Sequence, residues 1–190
     1  ARVEQDSDDI TLALRRESSM DPNSSEILGA VTTRVTHGQW IRLRIVTFPG
    51  RIQCFMDSVK VLDVTAELRA GGRFGLLASN EDGIRFDDVS AESNHDLDFR
   101  SLTDVRRHTL IENGSFFPRK RFLNFFSSSE PAHDLRPPKR DDPQWLIVGS
   151  PAHAEHVFSA DFEPESGRAP FCVGLIAGYL DARAPYYRFL

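Results

Sequence analysis

Carboxylates at alternate positions open this sequence. Glu4, Asp6 and Asp8 are separated by Gln5 and Ser7. On a strand, period two would point all three the same way. Carboxylates aligned like this supply the acid and nucleophile that cleave a glycosidic bond. The residues between them are polar, however, and the stretch reads as a solvated acidic loop. Glu163-Pro164-Glu165 repeats the spacing with a Pro that interrupts a strand, and it too reads as a solvated loop. His153-Ala154-Glu155-His156 places two imidazoles three apart, which would suit one metal on a helix. That segment precedes a strand and lacks a third ligand, so it reads as a surface turn. Asp6, Asp8 and Asp9 are oxygen donors of the kind Ca²⁺ takes, as are Glu81 and Asp82, but the EF-hand spacing is absent. No catalytic residue is assigned, and no cofactor other than Ca²⁺ is suggested.

Two further groups have binding chemistry. Tyr179, Asp181, Arg183 and Tyr186 surround one loop. Aromatic faces stack on sugar C–H groups while neighbouring polar side chains take the hydroxyls. Packing of both Tyr residues at an edge or in the core is the competing reading. The second group is Phe116, Phe117, Arg119, Lys120, Arg121, Phe122, Phe125 and Phe126. Basic residues among aromatics suit nucleic acid, an acidic membrane or a protein. Three cations flanked by Glu112 and Glu130 are few for a polyanion, so docking onto a neighbouring domain or subunit is the reading adopted. Five Phe in the span 116–126 are too apolar for a free linker. Cys54 and Cys172 both sit in apolar runs and read as buried thiols.

The elements that must position these residues are strands. From Trp40 to Val89 the chain alternates apolar and polar residues between turn signals. Ile41, Leu43 and Ile45 oppose Arg42 and Arg44, Pro49-Gly50 turns the chain, and Ile52, Cys54 and Met56 oppose Gln53, Phe55 and Asp57. Shorter strands are expected at Val59–Val64, Arg73–Ala78 and Ile84–Val89. This pattern predicts an antiparallel meander with one wet face. Upstream, Ile10–Arg16 and Ile27–Val35 read as strands. Downstream, Trp145–Val148, Val157–Phe162, Phe171–Tyr179 and Tyr186–Leu190 do. Residues 94–144 break the alternation and read as a linker or a long, mostly irregular insertion, with a short helix in Leu97–Ile111.

The chain has 190 residues, of which 40% are hydrophobic, enough for one sandwich and an appendage. A formal net charge of −5 argues against nonspecific nucleic-acid binding. No apolar run has the length of a membrane span, and no signal peptide opens the sequence. The Ala start reads as a processed chain or a piece of something longer.

The central stretch resembles the C-terminal half of a concanavalin A-like lectin/glucanase sandwich, of the laminin-G-like and family-16-like kind. Trp40, Leu43, Ile45, Asp57, Val61, Gly72, Phe74, Gly75, Leu76, Phe86, Asp87, Asp88 and Val89 carry the likeness. Val173, Gly174, Leu175, Asp181, Tyr186 and Tyr187 resemble the N-terminal half of the same sandwich. The halves therefore stand in reversed order: 1–93 is C-terminal in type, 145–190 is N-terminal in type, and 94–144 joins them. The halves either close into one permuted domain or complete successive copies. In the closed case, residues 145–190 pair with 1–93, Leu190 lies near Ala1, and Asp8-Asp9 make a turn.

The resemblance implies an all-β fold, a two-sheet antiparallel jelly-roll-like sandwich. It implies an extracellular or cell-surface setting, and places Asn80 and Asp82 near the Tyr179–Tyr186 loop as ligand contacts. The family-16 pattern Glu-x-Asp-x-Glu is not met, since the third member here is Asp8. The expected function is a non-catalytic, lectin-like carbohydrate-binding or adhesion module within a larger assembly. A carbohydrate, a protein or another copy is its expected partner. The alternatives are a laminin-G-like protein–protein module, a structural module of a multi-subunit particle, and an atypical glycoside-active enzyme.

Overall fold

Alternating side chains become strands because each buries one face and wets the other. The computed structural model describes residues 7–17, 25–36, 38–67, 72–79, 84–91, 95–96, 109–113, 116–119, 122–125, 144–148, 156–164, 172–180 and 184–190. Among these residues every regular element is a strand. The strands are β1 (Ser7–Glu17), β2 (Glu26–Thr36), β3 (Ile41–Phe48), β4 (Arg51–Met56), β5 (Val59–Thr65), β6 (Arg73–Ser79), β7 (Ile84–Ala91), β8 (His95–Asp96), β9 (Thr109–Asn113), β10 (Phe116–Arg119), β11 (Phe122–Phe125), β12 (Gln144–Val148), β13 (His156–Pro164), β14 (Cys172–Tyr179) and β15 (Tyr186–Phe189).

These strands form two antiparallel sheets packed as a sandwich. One runs β2-β1-β15-β14-β6-β12-β9; the other runs β10-β11-β7-β13-β3-β4-β5, with β8 beside β7. Inward residues of both sheets meet in one core, including Leu14, Leu76, Leu175 and Phe189 from the first and Leu43, Ile45, Ile52, Phe86 and Phe158 from the second. The Phe74 and Phe158 rings stack across the sheets with centroids 5.2 Å apart. The sandwich closes along one side where edge strands β2 and β5 lie against each other.

Turn chemistry sets the register of the β3-β4-β5 meander. Pro49-Gly50 joins Phe48 to Arg51, and Asp57-Ser58 joins Met56 to Val59. Both residues of the second turn have positive φ, 47° and 71°, the conformation that matches the twist of a two-residue hairpin. Asp57 Oδ1 accepts a hydrogen bond from Arg42 N at 2.9 Å, and Asp57 N donates to Arg42 O at 2.9 Å. That clasp holds the turn against β3.

Bulges on β7 and β14 reset the alternation. On β7, Asp88 and Val89 together oppose Ala160, between the pairs Asp161–Asp87 and Ser159–Ser90. Asp88 takes φ 45°, and Phe86 and Val89, three apart, both face the core. On β14, an extra residue lies between Ile176 and Tyr179 relative to β6, and Gly178 supplies φ 72° there. Ala177 therefore stays in the main core while Tyr179 joins a second buried cluster with Leu77, Ile147 and Ile176.

The C-terminal strands are interior. β13 lies between β7 and β3, and β14 with β15 lies between β6 and β1. Residues 145–190 thus pair with 1–93 in one chain, through registers such as Leu175–Leu76 and Ala160–Leu43. Ala1 lies outside the described residues. The expected turn at Asp8-Asp9 is replaced by strand, since these residues face Val35 and Arg34 across β1 and β2. Likewise 94–144 is not mostly irregular where described. β9 extends one sheet beside β12, and β10-β11 form a hairpin whose inner strand pairs with β7. Of the helix expected in Leu97–Ile111, residues 97–108 lie outside the described residues and Thr109–Ile111 are strand. Among the described residues, no helix is long and apolar enough to cross a membrane.

Candidate functional site

The outer face of the eight-stranded sheet carries a lattice of charged and aromatic side chains, placed by the same alternation that builds the core. β13 buries Phe158, Ala160 and Phe162 and turns Ser159, Asp161 and Glu163 outward; β3 buries Ile41, Leu43 and Ile45 and turns Arg42 and Arg44 outward. Register then makes neighbours of residues far apart in sequence. Arg42 binds both oxygens of Asp161, Nε to Oδ1 at 2.6 Å and Nη2 to Oδ2 at 2.8 Å, and reaches Asp88 Oδ2 at 3.2 Å. The positive φ of Asp88 brings its carboxylate to this pair. The Asp161 hydrogen bond, more than any other contact, raises the Arg42 pKa above its ordinary value, against a smaller opposing effect of burial.

Toward the β7 end of the face, Arg85 Nη2 bonds Glu163 Oε2 at 2.5 Å. The Arg85 guanidinium lies 5.9 Å from the centroid of the half-buried Trp40 ring. In the next row the Ser90 and Ser159 hydroxyls are 2.9 Å apart, and Arg44 covers the Phe55 ring at 4.1 Å. Further along, Asp63 accepts from Arg51, Gln53 and Lys60. Those donors, Arg51 first, hold its carboxyl well below the usual carboxylate range. Hydroxyls, an amide, carboxylates and guanidiniums thus share one sheet face with the Trp40 and Phe55 rings.

The residues singled out from sequence lie elsewhere. Tyr179 is 2% exposed, and Tyr186 meets it edge-on at 5.6 Å. The Tyr179 ring therefore packs inside the second cluster and offers no open face to a sugar. Asp181, Arg183, Asn80 and Asp82 lie outside the described residues. Asp9 pairs with Arg34 at 3.0 Å, Asp8 lies within β1, and Asp6 lies outside the described residues, as do Glu4, Glu81, Glu165, His153 and Glu155. Among the described residues, no group of three or more His, Cys, Asp or Glu is placed to hold a metal. In the Phe-rich arm, Phe116, Phe117 and Arg119 belong to β10 and Phe122 and Phe125 to β11. Lys120, Arg121 and Phe126 lie outside the described residues. Cys54 is a free buried thiol, and burial pushes its pKa far up.

Sequence reasoning missed Asp161 and set Glu163 aside as part of a solvated loop, whereas Glu163 and Pro164 end β13; a signal was present. Val157, Ser159, Asp161 and Glu163 alternate with three core residues, which sets two carboxylates on one face. Nothing local identifies Arg42 and Arg85 as their partners, because those contacts depend on strand order. Compared with known proteins, the chain matches no protein-family model and no curated protein.

Proposed function

We propose that this chain is a non-catalytic, lectin-like binding or adhesion module with a concanavalin A-like, jelly-roll-like sandwich. Its ligand face is the outer face of the eight-stranded sheet around Arg42, Asp161, Glu163 and Trp40. The observation that supports this reading is the engagement of the aligned carboxylates. Asp161 and Glu163 have the two-residue spacing of the carboxylates in the family-16 pattern, yet each already accepts from a guanidinium. A carboxylate engaged by a guanidinium is less available as acid or nucleophile, which favours binding over cleavage. What remains is a rigid, polar, hydrogen-bonding surface bordered by Trp40 and Phe55, suited to holding a saccharide without turning it over.

The test is retention on a panel of immobilised neutral and uronic-acid polysaccharides, together with a reducing-end assay on the same panel. Retention on at least one polysaccharide with no new reducing ends is expected, and Asp161→Ala should weaken it. Release of reducing ends, or no retention on any member, overturns the reading. In the structural-module alternative, the arm was the segment available to a neighbour. Its β11 strand pairs with β7, and its β10 strand is the outermost of that sheet.

A further inference from the structure

The outer face of the other sheet carries a second, unrelated group of charges. Arg15 of β1 and Arg188 of β15 are direct cross-strand partners. Opposed residues on an antiparallel pair hold their Cβ atoms roughly 4.5–5.5 Å apart, and like charges so placed repel. The carboxylate beside them, Glu17, serves only one of the two guanidiniums. Glu17 Oε1 accepts from Arg188 Nε at 2.9 Å, from Arg188 Nη2, and from Ser25 Oγ at 2.9 Å. Glu17 is 6% exposed, so this carboxylate is committed to Arg188 and Ser25. Arg15 makes no hydrogen bond or ion pair with the described residues, and its Nε is buried. The same row of the sheet continues with Ile27 beside Arg15 and Ile176 beside Arg188. Apolar side chains offer neither guanidinium an acceptor.

Among the described residues, one positive charge and one buried donor are thus left unanswered. A buried N–H without an acceptor carries the full cost of its desolvation. A water molecule could answer the donor but not the charge. A guanidinium edge presents parallel N–H groups that match two oxygens of a single acid group. We infer that Arg15 and Arg188 form a binding site for an oxyanion, held chiefly by the terminal Nη groups of Arg15, whose Nε is buried, beside the Glu17-anchored guanidinium of Arg188. The ligand chemistry is a carboxylate, sulfate or phosphate group, free or borne on a larger molecule. The site lies on the opposite sheet from the proposed saccharide face and does not depend on it.

The experiment uses the whole chain and four sodium salts. Melting temperature is followed against sulfate, phosphate and acetate, each compared with chloride at matched ionic strength. A saturable rise is expected in the wild type for at least one of the three oxyanions. Its midpoint should move to about tenfold higher concentration or more in Arg15→Gln, as expected for loss of a charge-assisted hydrogen bond. Selectivity for sulfate and phosphate would assign a tetrahedral group, and selectivity for acetate a planar one. Identical salt responses in wild type and Arg15→Gln overturn the inference. If Arg15→Gln does not fold, the Nε–Hε NMR resonance of Arg15 decides in the wild type. A saturable shift with an oxyanion and not with chloride supports the site; no shift with any of the three rejects it.

Discussion

Ala13 and Leu190 exchange both of their backbone hydrogen bonds, Ala13 N to Leu190 O at 2.7 Å and Leu190 N to Ala13 O at 3.0 Å. Phe189 faces Leu14 in the same register. If Leu190 were joined to Ala1, that register would carry Gln5 opposite Asp8 and leave Asp6-Ser7 as a two-residue turn. A head-to-tail cyclised chain should therefore fold without strain. Its unfolded state would lose chain entropy, so its Tm should rise, by about 2–4 °C for each ~1 kcal/mol gained at this length. A Tm below that of the linear protein would show that the register does not continue through the join.

Removing residues 144–190 should abolish folding rather than trim the domain. β13 separates β7 from β3, and β14 with β15 separates β6 from β1. Each sheet would divide into fragments with open edges and an uncovered apolar face. Circular dichroism of residues 1–143 in a urea titration should show no cooperative transition. A cooperative transition would mean that the remaining strands form a domain alone.

The β4-β5 turn offers a stabilising substitution. Ser58 has φ 71°, a conformation that costs an L-residue about 1–2 kcal/mol. Ser58→Gly removes that cost against a loss of about 0.5–1 kcal/mol in chain entropy. A net gain of ~0.5–1 kcal/mol is expected in urea unfolding. Asp57→Ala should act in the opposite direction, by about 1 kcal/mol, because it strips the acceptor from Arg42 N.

Gly174 cannot accept a side chain without rearrangement. A Cβ there would stand 2.2 Å from Phe189 O, in backbone that also binds β1. Gly174→Ala should cost about 3 kcal/mol or more, at the upper end of overpacking effects. A loss under ~1 kcal/mol would show that β15 can move aside.

Asp63 should titrate low in the folded protein. Its folded pKa lies below its unfolded value because Arg51, Lys60 and Gln53 donate to it. The contribution it makes is therefore present above the unfolded pKa of about 3.9 and is lost as pH falls through the folded value. Carboxyl ¹³C NMR should place its midpoint below that of an unperturbed Asp, and Arg51→Ala should move the midpoint upward. An ordinary midpoint in the wild type would show that the cluster does not persist in solution.

How much of this was legible from the residues differs from feature to feature. Ile41-Arg42-Leu43-Arg44-Ile45 declares a strand and its two faces, because period two is a property of the local backbone. Pro49-Gly50 lies between alternating runs and marks its own turn, whereas Asp57, read as continuing the strand, turns with Ser58 at positive φ. The all-β class and most strand positions follow from such signals. Tyr179 shows where they stop. It continues the alternation of Leu175 and Ala177, but one extra residue at Gly178 moves it to the second buried cluster. A bulge is decided by which neighbour a strand pairs with, and no local pattern contains that.

The candidate site divides in the same way. That Asp161 and Glu163 share a face is written in the spacing of Val157 to Phe162. That Arg42 reaches Asp161 across 119 positions, and that Asp88 turns to join it, was decided by the tertiary structure alone. β13 found its place between β7 and β3 because there Phe158, Ala160 and Phe162 complete a core shared by two sheets. Alternation specifies which side of a strand is wet. Only the burial of the other side, summed over every strand at once, specifies which strands become neighbours.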